Sequence, residues 1–365
     1  MALPTPRPGV LDIPIYVGGK TRIEGATRVI KLSSNEAALG PSPKAVAAYA
    51  ARAESLHRYP AGDSGELRAA IAEIERVPAR QIICGTGSDE ILGLLCRAYA
   101  GPGDEAIHTD HGFLIYPIYT LSVGATPVAV RERNLTADVD AILAAVSPRT
   151  RLVFLANPNN PTGTYLPFAE IARLRAALRE DIVLVLDAAY AEFMTEPDYR
   201  DGMALAASTP NTVVTRTFSK IHGLAALRLG WGFAAEAIID ALERLRGPFN
   251  VNAPAQAAGA ASIRDTAHLA RAKAHNAKWM GVMVQRLRGL GLDLAGAAGN
   301  FVLPKFPGGA RSAAAADAFL QARGIIARRV ENYGLPDHLR ITIGADDENE
   351  QVLTALAEFM GAGRG

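Results

Sequence analysis

Seven short apolar runs, each closed by a polar or glycine-rich stretch, constrain this chain more than any other feature. They read "QIIC", "DEAIHT", "TPVAV", "RLVFLAN", "DIVLVLD", "TVVTRT" and "LGWGFA", spread over residues 81–234. Runs that are apolar at successive positions suit strands buried on both faces. Helical stretches lie among them, one starting at Asp89 and others over 167–179 and 234–246. Ahead of them, "ELRAAIAEIERV" (66–77) puts Leu67, Ala70, Ile71, Ile74 and Val77 on one helical face. Strands alternating with helices predict an α/β architecture, a mainly parallel sheet between helices. Ligands of such sheets bind beyond the carboxyl ends of the strands.

After about residue 250 the pattern changes. "NVNAPAQAAGAASI" leads into a long helical region, then strand-like "NFVLPKF", an alanine-rich helix, "GIIARRV" and "LRITIG". At 365 residues the chain exceeds one typical core. The expected division is a large α/β domain over 30–260. A smaller α+β domain would comprise 261–365 joined by an N-terminal arm, 1–29. No internal repeat is visible.

Composition narrows the function. A hydrophobic share of 49%, a charged share of 21% and a net charge of +1 describe an ordinary globular enzyme. They give no footprint for nucleic acid or an anionic membrane. The start, "MALPTPRPGVLDIPIY", has prolines where a signal peptide needs an unbroken apolar core, and no later run is long enough to span a bilayer. Cys84 and Cys96 are expected as buried free thiols in a reducing cytoplasm. The seven histidines show no HExxH or paired spacing, so no metal site is expected.

Suspicious residues gather where strands end. "DIVLVLDAAY" runs into Asp187, with Tyr190 three further on; a turn-capping carboxylate would look the same. "LANPNNPTGTY" ends a strand in prolines, asparagines and a glycine, which alone is a rigid turn. "CGTGSDEIL" leaves a strand through Gly85 and Gly87 and enters a helix at Ser88–Asp89, offering backbone N–H groups to a phosphate. It is neither GxGxxG nor the GxxxxGK[ST] of a nucleotide P-loop. "TRTFSKIHGLAALRLGWGF" sets Lys220 beside Ser219 and places Arg228 eight residues later.

Taken together these residues answer one demand. A pyridoxal 5'-phosphate enzyme needs a lysine amine for the cofactor's aldehyde and a carboxylate for its pyridine nitrogen. It also needs donors to the ring hydroxyl and a cup for the phosphate. The chain resembles the class I/II aminotransferases of the fold-type I pyridoxal phosphate superfamily, from about Tyr16 to "LRITIG". "NPNNPTG", "LDAAYAEF", "TFSK…LRLGW" and "YGLPDHLRITIG" carry the resemblance. It implies that Lys220 is the covalent anchor and proton shuttle and that Asp187 pairs with the pyridinium. Asn160 and Tyr190 would bond the ring hydroxyl, and Phe113, in "HGFLIY", would stack on the ring. Gly87, Ser88, Asp89, Thr217, Ser219 and Arg228 would hold the phosphate, Arg228 as a fork. Tyr59, in "HRYPAGD", would reach the phosphate of a neighbouring subunit, making a homodimer with shared sites. His222 is read as packing, since the lysine amine can move the proton itself. The Asn160–Pro161 bond of the "NPTG" turn is a candidate cis peptide.

The most similar branch of that family transaminates L-histidinol phosphate with 2-oxoglutarate, giving imidazole acetol phosphate and L-glutamate, a step of histidine biosynthesis. One pocket must then take a phosphate or a carboxylate, which arginine forks can do. Arg328, Arg340 and Tyr16 stand at the family's substrate positions, with Asn160. Three departures bear on substrate choice: "NEAAL" (35–39) replaces "NENPL", Arg329 stands where proline is common, and Glu331–Asn332 replace a glycine pair. A broad aromatic amino-acid aminotransferase is the alternative, and a threonine-phosphate decarboxylase uses the same cofactor set. A non-catalytic regulator lacks an appended DNA-binding segment here.

Overall fold

The computed structural model describes residues 4–7, 9–25 and 28–361. Residues 1–3, 8, 26–27 and 362–365, which the expected arm and C-terminal domain include, lie outside the described residues. In chain order the first elements are β1 (Ile30–Lys31), α1 (Pro43–Ala50), α2 (Gly65–Glu75), β2 (Ile82–Gly85), α3 (Ser88–Tyr99) and β3 (Glu105–Thr109). Next come α4 (Ile115–Ser122), β4 (Thr126–Val130), α5 (Val139–Ala144), β5 (Thr150–Ala156), α6 (Phe168–Ala177) and β6 (Val183–Asp187). Then follow α7 (Met203–Ser208), β7 (Thr212–Thr217), β8 (Gly230–Phe233), α8 (Glu236–Glu243), α9 (Ala253–Arg264) and α10 (Thr266–Gly289). The chain closes with β9 (Asp293–Leu294), β10 (Phe301–Val302), β11 (Pro304–Lys305), α11 (Ala313–Gln321), β12 (Ile325–Ile326), β13 (Arg328–Val330), β14 (Leu335–Thr342) and α12 (Asp346–Met360).

All seven apolar runs are strands of one sheet, ordered β2-β8-β7-β6-β5-β3-β4. Neighbours from β7 through β4 run parallel, and only β8 runs against both its neighbours. Both faces are buried. Leu152, Phe154, Val183 and Val185 join α3 and α8 on one side. Val153, Leu155, Leu184 and Leu186 join α2, α6 and α9 on the other. Strand β3 leads outward to β4 while β5 leads the other way to β6 and β7, so a crevice opens between β3 and β5 at their carboxyl ends.

A second core gathers α10, α11, α12 and a small antiparallel sheet around β14. Ile30 and Leu32 pack in this second core, because β1 pairs in parallel with β12, Ile30 opposite Ile325. Helix α12 was not anticipated: its first turns, "DDENEQ", are polar, and the apolar positions Val352, Leu353, Leu356 and Met360 begin only afterwards. Among the described residues no helix is long and apolar enough to cross a membrane. Cys84 and Cys96 are buried and unpaired. The described residues contain no group of metal-ligating side chains.

Candidate active site

Asp187 is the last residue of β6, in register between Ala156 of β5 and Thr215 of β7. Tyr116 Oη donates to its Oδ2 at 2.8 Å and Thr215 Oγ1 to its Oδ1 at 3.1 Å. Burial raises its pKa to about 6, against the pull of these two hydroxyls. A buried carboxylate whose hydrogen-bond partners are neutral is incompletely compensated, and it attracts a cationic donor.

Strand β7 ends at Thr217 and the chain returns as β8, a reversal that carries Ser219, Lys220 and Arg228. Gly223 lets this turn approach the 34–41 segment: at φ +69°, a Cβ there would sit 2.5 Å from the Gly40 carbonyl carbon. Lys220 Nζ donates to Ser34 O at 3.2 Å and lies 5.7 Å from the centre of the Tyr190 ring. Burial, helped by the charge of Arg340, lowers its pKa to about 8. This is a lysine prepared to lose its proton near neutrality.

Opposite lies an anion cup. Helix α3 starts at Ser88, directly after Gly87 at φ +84°, and its first N–H groups have no helical partner. A Cβ on Gly87 would come within 2.7 Å of Arg228 Nη2, and one on Gly230 within 2.2 Å of the Ser88 nitrogen. Gly230 is therefore required by close approach to backbone, and Gly87 by its positive φ. Arg228, itself at φ +50°, donates to Ser219 Oγ at 3.2 Å and pairs with Asp89 Oδ2 at 3.5 Å.

On the remaining walls, Phe113 meets Tyr16 edge-on at 6.3 Å and Tyr116 at 6.0 Å. Tyr190 accepts a 2.8 Å hydrogen bond from Asn35 Nδ2. Arg340 donates through Nη1 to Asn160 Oδ1 and through Nη2 to Ser33 O, leaving its buried Nε without a partner. Arg328 donates to Val17 O at 2.8 Å and faces Arg340 in register across the β13–β14 pair. The Asn160–Pro161 peptide is cis, as expected, and so is Asn157–Pro158.

One cleft thus brings together Tyr16, Ser88, Asp89, Phe113, Asn160, Asp187, Tyr190, Thr217, Ser219, Lys220, Arg228, Arg328 and Arg340. Gly87 stands behind it, against Arg228. Tyr59 is not in this wall: it is 83% exposed and stacks on Phe249 with 4.7 Å between ring centres. His222 faces away, its Nδ1 2.9 Å from Ser262 Oγ and its ring against Phe218, with burial lowering its pKa to about 4. Glu331 does not reach the cleft either, since its exposed carboxylate pairs with Arg329 at 2.8 Å. Two of the departures therefore neutralise each other.

Sequence reasoning missed Tyr116, Thr215, Asn35 and Tyr333. Tyr116 carries a faint signal, one helical turn after Phe113. Thr215 becomes visible only once β7 is set in register beside β6. Asn35 sits at φ +55°, a conformation asparagine tolerates better than most residues.

Comparisons with known proteins agree with this geometry. The family model "Aminotransferase class I and II" matches residues 27–356. A histidinol-phosphate aminotransferase of Paramagnetospirillum magneticum is 54% identical over 363 residues, covering 99% of this chain and 100% of that relative. The same enzyme of Rhodopseudomonas palustris is also 54% identical, with the same coverage. The crystal structure of histidinol-phosphate aminotransferase from Sinorhizobium meliloti in complex with pyridoxal-5'-phosphate superposes with a TM-score of 0.89 at 27% identity, over 99% of both chains. An aspartate aminotransferase of Thermus thermophilus, 22% identical, shares the fold with a TM-score of 0.79 over 91% of this chain and 92% of its own. The fold is that of the fold-type I pyridoxal phosphate transferases, and the chain belongs to the class I and II aminotransferase family.

Proposed function

We propose that this chain is a pyridoxal phosphate-dependent aminotransferase of histidine biosynthesis, converting L-histidinol phosphate and 2-oxoglutarate to imidazole acetol phosphate and L-glutamate. The observation that carries this reading is the opposition, in one cleft, of a buried carboxylate with neutral partners and a lysine whose pKa is lowered to about 8. The donor set fits the cofactor. Asp187 suits a protonated ring nitrogen, and the α3 N-terminus, Ser219 and Arg228 suit a phosphate. Phe113 offers a ring face, and Asn160 and Tyr190 offer polar groups for a ring hydroxyl. When bound, pyridoxal phosphate supplies an aldehyde for amines and a protonated ring that takes up electron density from the substrate Cα.

The chain's own residues do the rest. With a pKa of about 8, Lys220 is neutral in about one molecule in ten at pH 7, enough for its amine to act as a nucleophile. Once the substrate amine displaces it, Lys220 Nζ is the base that takes the Cα proton and the acid that returns it. Asp187 stays ionised and keeps the ring nitrogen protonated. Arg328 and Arg340 orient the substrate. Like charges directly opposite in an antiparallel pair repel, and an anion between them relieves that. Guanidinium forks accept both the phosphate of one amine and the carboxylates of the other.

The full-length relatives at 54% identity support histidinol phosphate as the amine. We also propose a cytoplasmic homodimer in which the exposed Tyr59 completes the partner's site, and a division into two domains near residue 260, in which the N-terminal arm expected over 1–29 extends through Leu32, since Ile30 and Leu32 pack in the second core. Turnover of purified enzyme with histidinol phosphate, phenylalanine and threonine phosphate tests the function. Histidinol phosphate is expected to lead in kcat/KM by at least about tenfold, the scale of one charge-assisted contact. A lead for phenylalanine replaces this reading with an aromatic aminotransferase.

A further inference from the structure

Tyr333 lies in the short turn that joins β13 to β14, between the two strands that carry Arg328 and Arg340. Its ring is fixed from both sides of the cleft. It packs with Leu303, Val330 and Leu335, and Leu114 and Leu135 from the large-sheet region close over this cluster. Gly334, at φ +77°, ends the turn. The residue is only 5% exposed, yet it lines the cleft. Among the described residues its hydroxyl meets no hydrogen-bond partner.

The ring is buried while the hydroxyl keeps access to the cleft, and the polar end of such a tyrosine ordinarily finds a partner there. The neighbouring fields say what partner is missing. Arg340 and Arg328 bear on the Tyr333 hydroxyl, together with the hydroxyls of Tyr16 and Tyr190. A hydroxyl in the field of two guanidinium groups favours an anion as its acceptor. A carboxylate presents two oxygens, which one arginine fork can satisfy. A phosphate presents three, so a further donor has work only when the phosphate is there.

We propose that Tyr333 is a specificity-determining residue that donates a hydrogen bond to the phosphate of the amine substrate, between Arg328 and Arg340. The inference rests on histidinol phosphate being that substrate. It assigns discrimination between the two amines to a side chain of the small sheet that the departures at Arg329 and Glu331 leave untouched.

Tyr333→Phe removes one oxygen and keeps the packed ring, so unchanged cofactor loading and melting temperature verify the fold. Two measurements on the loaded enzyme then apply. The first is the ratio of kcat/KM for histidinol phosphate to that for glutamate, expected to fall about tenfold or more on losing a hydrogen bond to a charged group. The second is the affinity for inorganic phosphate by calorimetry, expected to fall by a similar factor. If the parent enzyme does not transaminate histidinol phosphate but the variant still loses phosphate affinity, the function fails and the phosphate role of Tyr333 stands. An unaltered ratio with unaltered phosphate affinity overturns the inference, whatever the parent's substrate.

Discussion

Tyr116 Oη lies 2.8 Å from Asp187 Oδ2, reaching the carboxylate from helix α4 while Thr215 holds the other oxygen from the adjacent strand. The two hydroxyls fix the carboxylate's direction without neutralising it. Asp187→Asn is therefore expected to retain cofactor and lose turnover by several orders of magnitude, because a neutral ring is a poor electron acceptor. A turn cap alone would cost about 0.5–2 kcal/mol of stability and leave the rate intact. Single-turnover absorbance changes with substrate amine decide between these roles.

The same residue sets a pH dependence. Its pKa rises from 3.8 to about 6 on folding, so between these values the folded protein keeps a proton that the unfolded chain has lost. In the cofactor-free protein this contribution to stability is full below 3.8 and lost as pH rises through about 6. A cationic ring relieves the penalty that remains. The rise in Tm caused by pyridoxal phosphate is expected to grow from pH 5 to pH 7. Measured in a Lys220→Ala background, covalent attachment plays no part, and adding Asp187→Asn is expected to flatten the trend.

Lys220 titrates the other way. Its pKa falls from 10.5 to about 8, so the buried charge weakens the cofactor-free fold fully below about 8, and the penalty fades as pH rises toward 10.5. Lys220→Met is expected to melt a few degrees higher than the parent at pH 7, at roughly 1–2 °C per kcal/mol for a chain this long, with the gap closing at alkaline pH. In the parent, loading gives a near-visible band, and borohydride followed by peptide mapping is expected to place the adduct on Lys220. Lys278, which is exposed and paired with Asp346, is the contrasting site, and an adduct there removes the functional reading.

What could be read from the sequence divides along physical lines. The central strands of the large sheet were legible because burial on both faces leaves a mainly apolar run, as in "VLVLD", whereas the edge strand β4 is half-exposed. The residues proposed to hold the cofactor could be picked out because their types and spacings answer one chemistry, and the fold brings most of them into one cleft. Tyr116, Thr215 and Tyr333 could not, since their roles depend on which strand lies beside which and on how a turn aims a ring. Placing β1 in the second core required knowing that Ile30 pairs with Ile325, a contact nearly three hundred residues distant in the chain that no local pattern announces.

Gly230 tests the anion cup without touching any donor. A Cβ there would lie 2.2 Å from the Ser88 nitrogen and 2.5 Å from the Gly87 carbonyl carbon, both backbone atoms. Gly230→Ala must therefore push the start of α3 away from β8. Cofactor affinity is expected to fall at least about tenfold, the scale of one lost charge-assisted hydrogen bond. Fluorescence titration of the cofactor-free protein measures it, and an affinity equal to the parent's refutes the assignment of this helix end to the phosphate.

Arg340 donates to both Asn160 and the Ser33 carbonyl, linking the proposed substrate subsite to Asn160, one of the side chains proposed to face the ring. Truncation to alanine leaves a substrate anion unpaired and is expected to cost about 2–5 kcal/mol of transition-state binding in both half-reactions. Tyr16→Phe is expected to be selective, slowing histidinol phosphate more than glutamate. Equal effects of Tyr16→Phe on the two amines would remove Tyr16 from phosphate recognition.

Tyr59 yields the one prediction that needs two chains. Its ring is 83% exposed and stacks on Phe249, which is 43% exposed, and Leu56 nearby is 68% exposed. This exposed aromatic pair is the surface we propose for the partner subunit. With the pair at the proposed dimer interface, Tyr59→Phe weakens cofactor binding by removing one hydroxyl from the partner's phosphate cup. Mixing Tyr59→Phe with Lys220→Ala then gives heterodimers in which one site holds both mutations and the other holds neither. That intact site is expected to restore up to about half the parent rate per heterodimer, on simple two-fold counting. Sedimentation establishes the dimer and the mixing experiment reads the sharing. A fully active monomer, or a mixture no more active than its components, shows each cleft to be complete within one chain.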